Sequence, residues 1–290
     1  MSNKKHKEMD RQREGSESEE EQNSGSEKES DVDSEGKYTG DQELQADFEG
    51  RNPEDYDFYG IKQLLRQLFL KSNVDLAGLA EIIISQNYVG SVVKQCLDDP
   101  ADDDDDDDVD DGVFGVTTVI NITKRKKDPT IQQVTALLNQ LAEDNADNET
   151  KALIKKILSD DFNHVGFVIN ERILNIPAAI SVPLFSSLQS ELEKAIKKNM
   201  PYKFQYLIWI CKIYNTGEAA ADTLYANEEE KALVEEALAS FEVDVSEQVD
   251  NSQWDFEGGA LLPGRKVLIF EGKKFNHLVR LIKEEVEGGA

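Results

Sequence analysis

The chain has 290 residues, of which 39% are hydrophobic, and its formal net charge is −27 at pH 7. This length and apolar content can bury a substantial core, which excludes a wholly disordered protein. The charge is concentrated: residues 1–50 hold 16 acidic against 7 basic side chains, and residues 98–111 hold eleven aspartates. Because nucleic acid is itself anionic, this charge disfavours direct binding to nucleic acid and favours a basic protein partner.

The N-terminal part differs in composition from the rest of the chain. Residues 1–43 are rich in Ser, Glu, Gly and Lys and have scarcely an aliphatic side chain, so we predict a disordered acidic tail. Residues 44–290 are predicted to form a single α/β domain. No apolar segment suited to a signal peptide follows Met1, and no run of 18 uncharged apolar residues occurs, so neither a secretory signal nor a membrane span is predicted.

The spacing of apolar residues predicts the order of the elements. Apolar side chains at every second position indicate a strand, and those at every third or fourth position indicate a helix. Strands are predicted at 44–48, 91–96, 113–120, 165–169, 204–214, 241–245 and 267–270. Helices are predicted at 61–68, 75–86, 131–141, 153–158, 227–238 and 275–286. This alternation, with at least one hairpin, is typical of a mixed sheet flanked by helices.

Two predictions concern the arrangement of the strands. The strands at 91–96 and 113–120 are separated by an acidic loop, residues 98–112, so they are expected to pair as a hairpin with an unusually long connection. Residues 204–214 read FQYLIWICKIY, which offers apolar side chains to both faces with only one charge. This pattern predicts a strand in the middle of the sheet.

A long apolar stretch beginning at His164 is interrupted by polar residues. The sequence HVGFVINERILNIPAAISVPLF predicts a strand through Ile169, a polar turn at 170–172, an extended segment held by Pro177 and a helix from about Ala178. Glu171 and Arg172 could belong to a structural polar network or to a catalytic site. The structural interpretation is favoured, because acid–base catalysis usually recruits a histidine or a carboxylate in a pocket with further partners.

Catalytic and metal-binding patterns are weak. Outside the predicted tail the only histidines are His164, which begins a strand, and His277, which lies off the apolar stripe of its helix. A calcium loop with its glycine at Gly112 would place Val109 and Thr118 at ligand positions, which excludes that geometry. With no Cys/His cluster to support zinc, we predict no metal, no cofactor and no catalytic residues.

Two charged segments are candidate interaction sites. Seven consecutive aspartates, Asp102, Asp103, Asp104, Asp105, Asp106, Asp107 and Asp108, provide a dense polyanion that could cover the cations of a basic client. The alternative is a loop that only solvates the protein and prevents aggregation. The dense basic cluster of the domain, Lys124, Arg125, Lys126 and Lys127, resembles a nuclear import signal, although such clusters are often ordinary surface loops.

The stretch GFVINERILNIP followed by VPL strongly resembles the signature of the BCCIP family, a eukaryotic group of nuclear proteins. The matching residues are Gly166, Asn170, Glu171, Arg172, Asn175, Pro177, Pro183 and Leu184. Further matches are DFEGRNPEDYDFYGIKQLL from Asp47, YKFQYLIWICKIY from Tyr202 and FEGKKFNHLV from Phe270. The resemblance extends from about Asp47 to the C-terminus, and the acidic tail with an internal aspartate loop looks like the fungal branch.

The resemblance implies a fold similar to the GCN-five-related acetyltransferases, used as a binding scaffold, with structural roles for signature residues such as Gly166 and Asn175. It implies a chaperone for one basic protein of the large ribosomal subunit, the universal L-fourteen type. It also implies a part in the nuclear export of a phosphatidylinositol phosphate kinase, and therefore nuclear transport factors as partners and shuttling between nucleus and cytoplasm. Animal relatives are linked to DNA-repair and cell-cycle partners.

Two alternatives remain open. The first is an acetyl-CoA-dependent N-acetyltransferase, whose cofactor turn has the pattern Arg/Gln-x-x-Gly-x-Gly/Ala. The closest segment, YNTGEA at Tyr214–Ala219, has Tyr214 in place of Arg or Gln, and Glu218 would lie beside the phosphates. The second alternative is a histone chaperone, which would share the acidic segments and differ only in its client.

Overall fold

The computed structural model describes residues 47–96, 112–215, 223–249, 255–256 and 259–288. These residues belong to one compact unit, Ala46–Ala290. The predicted tail, residues 1–43, lies outside the described residues, as does the acidic loop apart from Gly112. The predicted tail and domain boundaries therefore stay predictions.

A mixed, mostly antiparallel sheet forms the centre of the described fold, which confirms the predicted class. Its strands are β1 (Phe48–Arg51), β2 (Ser91–Gln95), β3 (Gly115–Asn121), β4 (Val165–Arg172), β5 (Tyr206–Asn215), β6 (Leu224–Tyr225), β7 (Ala239–Asp244) and β10 (Leu262–Glu271). Two short strands, β8 (Asp255–Phe256) and β9 (Gly259–Ala260), pair with each other. The strand order of the main sheet is β1-β2-β3-β4-β5-β10-β7, with β6 paired to β5.

Helices cover both faces of this sheet. The α-helices are α1 (Phe58–Phe69), α2 (Leu76–Ser85), α3 (Pro129–Asn145), α4 (Asn148–Ser159), α5 (Ser181–Lys197) and α6 (Phe275–Gly288). The first of the two apolar cores combines α1 to α4 with one face of the sheet, and it includes Phe167 and Ile169. The second combines α5 and α6 with the other face, and it includes Val168 and Trp209. Alternation along a strand thus sends its apolar side chains into two different cores.

The predicted arrangement of strands is confirmed at two places. Strands β2 and β3 pair antiparallel, with Val92 opposite Val116, so the acidic loop does connect the two strands of a hairpin. Strand β5 lies between β4 and β10 in the interior of the sheet, and most of its residues are buried. The β4–β5 pair is parallel, whereas the other strand pairs of the described sheet are antiparallel.

One local prediction was wrong, and two predicted helices differ from the prediction in detail. Residues 170–172 form no turn: β4 runs on to Arg172, because β3 continues to pair with it as far as Gly115 opposite Arg172. The segment predicted as a helix at 227–238 is a 3₁₀ helix, Glu228–Glu236, in which backbone bonds join residues three apart, as from Glu230 N to Asn227 O at 3.0 Å. The helix predicted from Ala178 begins with a short 3₁₀ turn, Ala178–Ile180, before α5.

Candidate functional site

Strands β4 and β5 separate at their C-terminal ends. Their parallel pairing runs from Val165 opposite Tyr206 to Val168 opposite Trp209, and beyond this point the two strands diverge. The segment Leu224–Glu230, here called the wedge, fills the space between them. Its residue Ala226 donates from N to Lys212 O at 2.9 Å, and the side-chain amide of Asn227 donates to Asn170 O at 3.0 Å.

On the α5 and α6 side of the sheet, the wedge places a buried carboxyl group among three donors. Glu230 Oε1 accepts from Asn170 Nδ2 at 2.8 Å, Trp209 Nε1 at 3.1 Å and Asn227 Nδ2 at 3.2 Å. Burial, and then the neighbouring Glu229 carboxylate, raise the pKa of Glu230 to about 8. Glu230 is therefore mostly protonated at neutral pH.

A bidentate ion pair lies next to this carboxyl group. Arg172 donates from Nη1 to Glu229 Oε1 at 2.8 Å and from Nη2 to Oε2 at 3.0 Å. The side chains are 5% and 0% exposed, so water contributes little to their solvation. Such a pair fixes the position of both partners through two parallel hydrogen bonds. The pair therefore ties the end of β4 to the wedge.

The opposite face of the same strands carries a second buried charge cluster. Glu171 Oε2 lies 2.5 Å from Lys212 Nζ, and both side chains are nearly inaccessible. Burial raises the pKa of Glu171, and the nearby Lys212 ammonium opposes this rise. Arg265 on β10 donates from Nε to Leu68 O at 3.0 Å, which satisfies a carbonyl in the last turn of α1. The cluster thus connects β4, β5, β10 and a helix end.

Of the other matching residues, Gly166 lies on β4, Asn175 and Pro177 follow it, and Pro183 and Leu184 belong to α5. A Cβ atom added at Gly166 would lie 2.8 Å from side-chain atoms of Leu207 and Val119, so glycine allows this close approach of the strands. Asn175 is exposed in the turn that follows β4, and Pro177 precedes the short 3₁₀ turn before α5. The structure therefore brings Asn170, Glu171 and Arg172 together with partners on β5, β10 and the wedge.

The partners of these residues were not singled out from the sequence. Lys212 was the one charge in an apolar strand, and this is the signal that could have identified it. Glu229 and Glu230 belong to a run of three glutamates in which only Glu228 is exposed, and the residue types do not distinguish the three. Their role becomes visible only through the contacts.

The two charged segments lie at opposite ends of β3. Of the acidic insertion, residues 98–112, Gly112 is described and Asp102–Asp108 lie outside the described residues. The basic cluster, Lys124 to Lys127, follows the other end of β3 in an exposed turn, where Lys126 Nζ pairs with Asp161 Oδ1 at 2.5 Å. A strand of seven residues separates the two segments by about 20 Å, so β3 keeps the basic turn away from the ends of the acidic insertion.

The other candidate sites give less support for a function. His277 Nε2 lies 3.2 Å from Glu236 Oε1 at the surface. Of the turn considered for a cofactor, Tyr214 and Asn215 end β5 and the remainder lies outside the described residues. Across residues 47–96, 112–215 and the later described ranges, no group of His, Cys, Asp and Glu could hold a metal ion. None of the helices described is long and apolar enough to cross a membrane.

Comparisons with known proteins assign the family. A family model described as BCCIP matches residues 43–249. The chain is 40% identical over 262 residues to "Protein BCCIP homolog" of Drosophila melanogaster, covering 87% of this chain and 88% of that protein. It is 32% identical over 261 residues to "BRCA2 and CDKN1A-interacting protein" of Homo sapiens, covering 84% and 82%.

A solved structure shares the fold. The crystal structure of BCP1 from Saccharomyces cerevisiae superposes with a TM-score of 0.54 at 20% sequence identity, covering 84% of this chain and 88% of that chain. The family model spans most of the sequence, including β4 with its signature residues and the wedge that pairs with them. On this match and the identity to the Drosophila protein, the chain is a member of the BCCIP family.

Proposed function

We propose that this protein is a non-enzymatic acidic chaperone for a basic ribosomal protein of the large subunit, of the universal L-fourteen type, and a nucleocytoplasmic transport adaptor. The observation that carries the proposal is the insertion of eleven aspartates, within residues 98–111, between two paired strands of the sheet. Basic ribosomal proteins expose Lys/Arg-rich extensions meant for RNA. A polyanion attracts these extensions over long range and competes with RNA for them.

The ends of the insertion support this role because they are fixed to the sheet. Cys96 N donates to Asp47 O at 2.7 Å on one side, and Phe114 N donates to Val93 O at 2.9 Å on the other. The insertion therefore leaves from and returns to ordered strands of the sheet. In this arrangement the folded surface selects the client and the carboxylates cover its cations.

A binding role without catalysis is supported by the contacts of the buried ionisable groups. Glu171, Arg172 and Glu229 pair with other side chains of the protein, and Glu230 accepts from three of them. Charges used in this way hold strands together and are not directed at a substrate. The human relative is named as an interacting protein, and a protein-binding function agrees with that name.

The transport part of the proposal rests on the basic turn. Lys124, Lys126 and Lys127 are exposed, as an import signal must be for a nuclear transport factor to read it. We propose that the protein shuttles between nucleus and cytoplasm, supports production of the large ribosomal subunit, and assists export of a phosphatidylinositol phosphate kinase. Neither direct binding of nucleic acid nor a membrane is part of this proposal.

Replacing Asp102 to Asp108 by serine should lower the association rate with the purified ribosomal protein by about tenfold or more at low salt. The dissociation rate should change less, because long-range attraction acts mainly on the encounter. The wild-type affinity should also fall steeply with salt, and the variant should show a weaker dependence. Surface plasmon resonance at several salt concentrations measures all three quantities.

The matched control removes the same number of charges elsewhere. Serine replaces seven acidic residues of the tail: Glu14, Glu17, Glu19, Glu20, Glu21, Glu27 and Glu29. This variant has the same net charge as the first and should lose less of the association rate. Equal rates for wild type and the aspartate variant, with no salt dependence, would remove the electrostatic basis of the proposal.

Affinity purification of the tagged protein at moderate salt, followed by mass spectrometry, tests the identity of the client. One dominant basic protein of the large subunit supports the proposal. A histone pair in its place would favour a histone chaperone. Titration with acetyl-CoA tests the enzyme alternative, because micromolar or tighter binding would favour an acetyltransferase over a binding scaffold.

A further inference from the structure

Exposed apolar side chains lie on segments that adjoin the start of β3, where the chain leaves the acidic insertion. Tyr59 is 75% exposed, Leu174 58% and Ile173 37%. Phe48 and Phe114 beside them are half-buried. These five residues are here called the collar. Single exposed apolar residues are common on protein surfaces, but a group at one place indicates an interaction site.

Contacts between the collar segments place them side by side. The rings of Phe48 and Phe114 meet edge to face, with 5.2 Å between their centroids. Ile173 N donates to Phe114 O at 2.9 Å, which holds the turn after β4 against the start of β3. Next to Tyr59, a Cβ atom added at Gly60 would lie 2.6 Å from Val113, the neighbour of Phe114. The collar therefore borders the point where the chain enters β3 from the insertion.

The charge around the collar identifies the kind of occupant. Asp47, Glu49, Glu54 and Asp55 are exposed at the same edge, in addition to the eleven aspartates of residues 98–111. A second copy of this chain would bring the same negative charge to the contact, and an anionic membrane surface would also be repelled. A cationic polypeptide is attracted by both groups of carboxylates.

The same edge also contains an example of cation recognition within the protein. The guanidinium of Arg51 lies 4.7 Å from the ring centroid of Tyr56 and forms an ion pair with Asp57 at 2.7 Å. An aromatic ring beside carboxylates thus holds an arginine side chain. Tyr59 presents a second, largely exposed ring a short distance along the chain, next to Phe58 at 5.2 Å between centroids.

We propose that the collar is the docking surface for a Lys/Arg-rich segment of the client that carries aliphatic or aromatic side chains among its cations. This inference rests on the proposed chaperone function and assigns it a surface. The aspartates increase the rate of encounter, whereas the collar slows dissociation by removing the apolar side chains of the client from water. A basic segment without apolar side chains binds through charge alone and therefore dissociates quickly.

The test uses the full-length protein and two synthetic peptides of equal length and equal Lys/Arg content. The first peptide carries leucines between its basic residues, and the second carries serine at those positions. Wild type should release the leucine peptide about tenfold more slowly than the serine peptide. The double variant Tyr59→Ser with Leu174→Ser should lose this difference while its association rates stay unchanged. Kinetics are measured by surface plasmon resonance.

The control variant is Phe162→Ser, which removes an apolar side chain that is 93% exposed. Phe162 precedes β4 and Leu174 follows it, so the eight residues of the strand separate the two by about 23 Å or more. The control should release the leucine peptide at the wild-type rate. The single variant Tyr59→Ser, at the most exposed collar position, repeats the test with the smallest risk to folding.

The possible outcomes separate this inference from the proposed function. If wild type binds both peptides and releases them equally, the collar is not the docking surface, although the chaperone proposal stands. An unchanged dissociation rate in the double variant has the same consequence. A wild-type dimer that the collar substitutions dissociate would assign the surface to a second copy and overturn the inference. If wild type binds neither peptide, both proposals fail together.

Discussion

Replacing Glu229 by alanine should lower the free energy of unfolding by about 3–5 kcal/mol. The substitution leaves the Arg172 guanidinium buried without its carboxylate, because the pair is joined by two hydrogen bonds and neither side chain is substantially exposed. The desolvation of a charge then costs free energy that no partner offsets. Urea unfolding followed by circular dichroism measures the difference, with a shift in the midpoint and little change in slope.

Two controls distinguish loss of the pair from loss of packing. The double variant Glu229→Leu with Arg172→Met replaces both charges by apolar side chains of similar size, and should recover most of the lost stability. Glu287→Ala breaks a pair with Lys283 whose side chains are 61% and 54% exposed, and should change the stability by less than about 0.5 kcal/mol. A single variant as stable as wild type would show that the buried pair is not needed.

The order of strands along the chain and the position of β5 could be predicted from the sequence because they depend on local apolar spacing. The run of apolar residues in β5 requires cover on both faces, and an interior strand, such as β5 between β4 and β10, has it. The β2–β3 hairpin was also predictable, since the two apolar segments are adjacent along the chain apart from the acidic insertion. The local pattern of apolar residues was sufficient to predict both the position of β5 and the hairpin.

The end of β4 could not be predicted in the same way. Asn170, Glu171 and Arg172 are polar, and a local pattern of polar residues after an apolar run is typical of a turn. Their partners are remote in sequence: Asn170 and Arg172 bind residues 60 and 57 positions away, on the wedge. Polar groups can be buried without a large cost in free energy only when such hydrogen-bonding partners are present. The tertiary contacts therefore decide that the strand continues.

One part of the candidate site could be predicted from the sequence, and the other part could not. The aspartate run is visible in the sequence as a charge block, and its attachment between β2 and β3 follows from the predicted hairpin. The collar is not visible in the sequence, because Tyr59 belongs to a helix and Leu174 to a turn after a distant strand. Tertiary contacts bring these segments together: Phe114 contacts Phe48 and Ile173, and its neighbour Val113 lies against the start of α1 at Gly60.

A different consequence follows from the buried carboxyl group of Glu230. The ordinary pKa of a glutamate is 4.5, whereas burial and the Glu229 carboxylate raise the pKa of Glu230 to about 8 in the folded protein. Between these two pH values the folded state holds a proton that the unfolded state has already released. Stability therefore falls as pH rises through this interval, by about 1.4 kcal/mol per pH unit from this group, and falls no further above the folded pKa.

Glu230→Gln should remove this pH dependence, because the amide keeps an acceptor oxygen for Asn170, Trp209 and Asn227 but cannot ionise. Below the ordinary glutamate pKa of 4.5, where the carboxyl group is protonated in both the folded and the unfolded state, the variant should be within about 1 kcal/mol of wild type. Its stability relative to wild type should rise with pH and reach several kcal/mol above pH 8, where wild type holds a buried charge. Urea unfolding of both proteins across this pH range gives the difference directly.

Taking this difference cancels the titration of groups that both proteins share. Glu285→Gln on α6 serves as the control, because it removes an exposed carboxyl group, and its difference from wild type should stay nearly constant with pH. If the Glu230→Gln difference is also constant, the carboxyl group is ionised in the folded state throughout the range. In that case the three donors and the nearby cations would outweigh burial, and the wedge would be held by a charge rather than by a neutral acid.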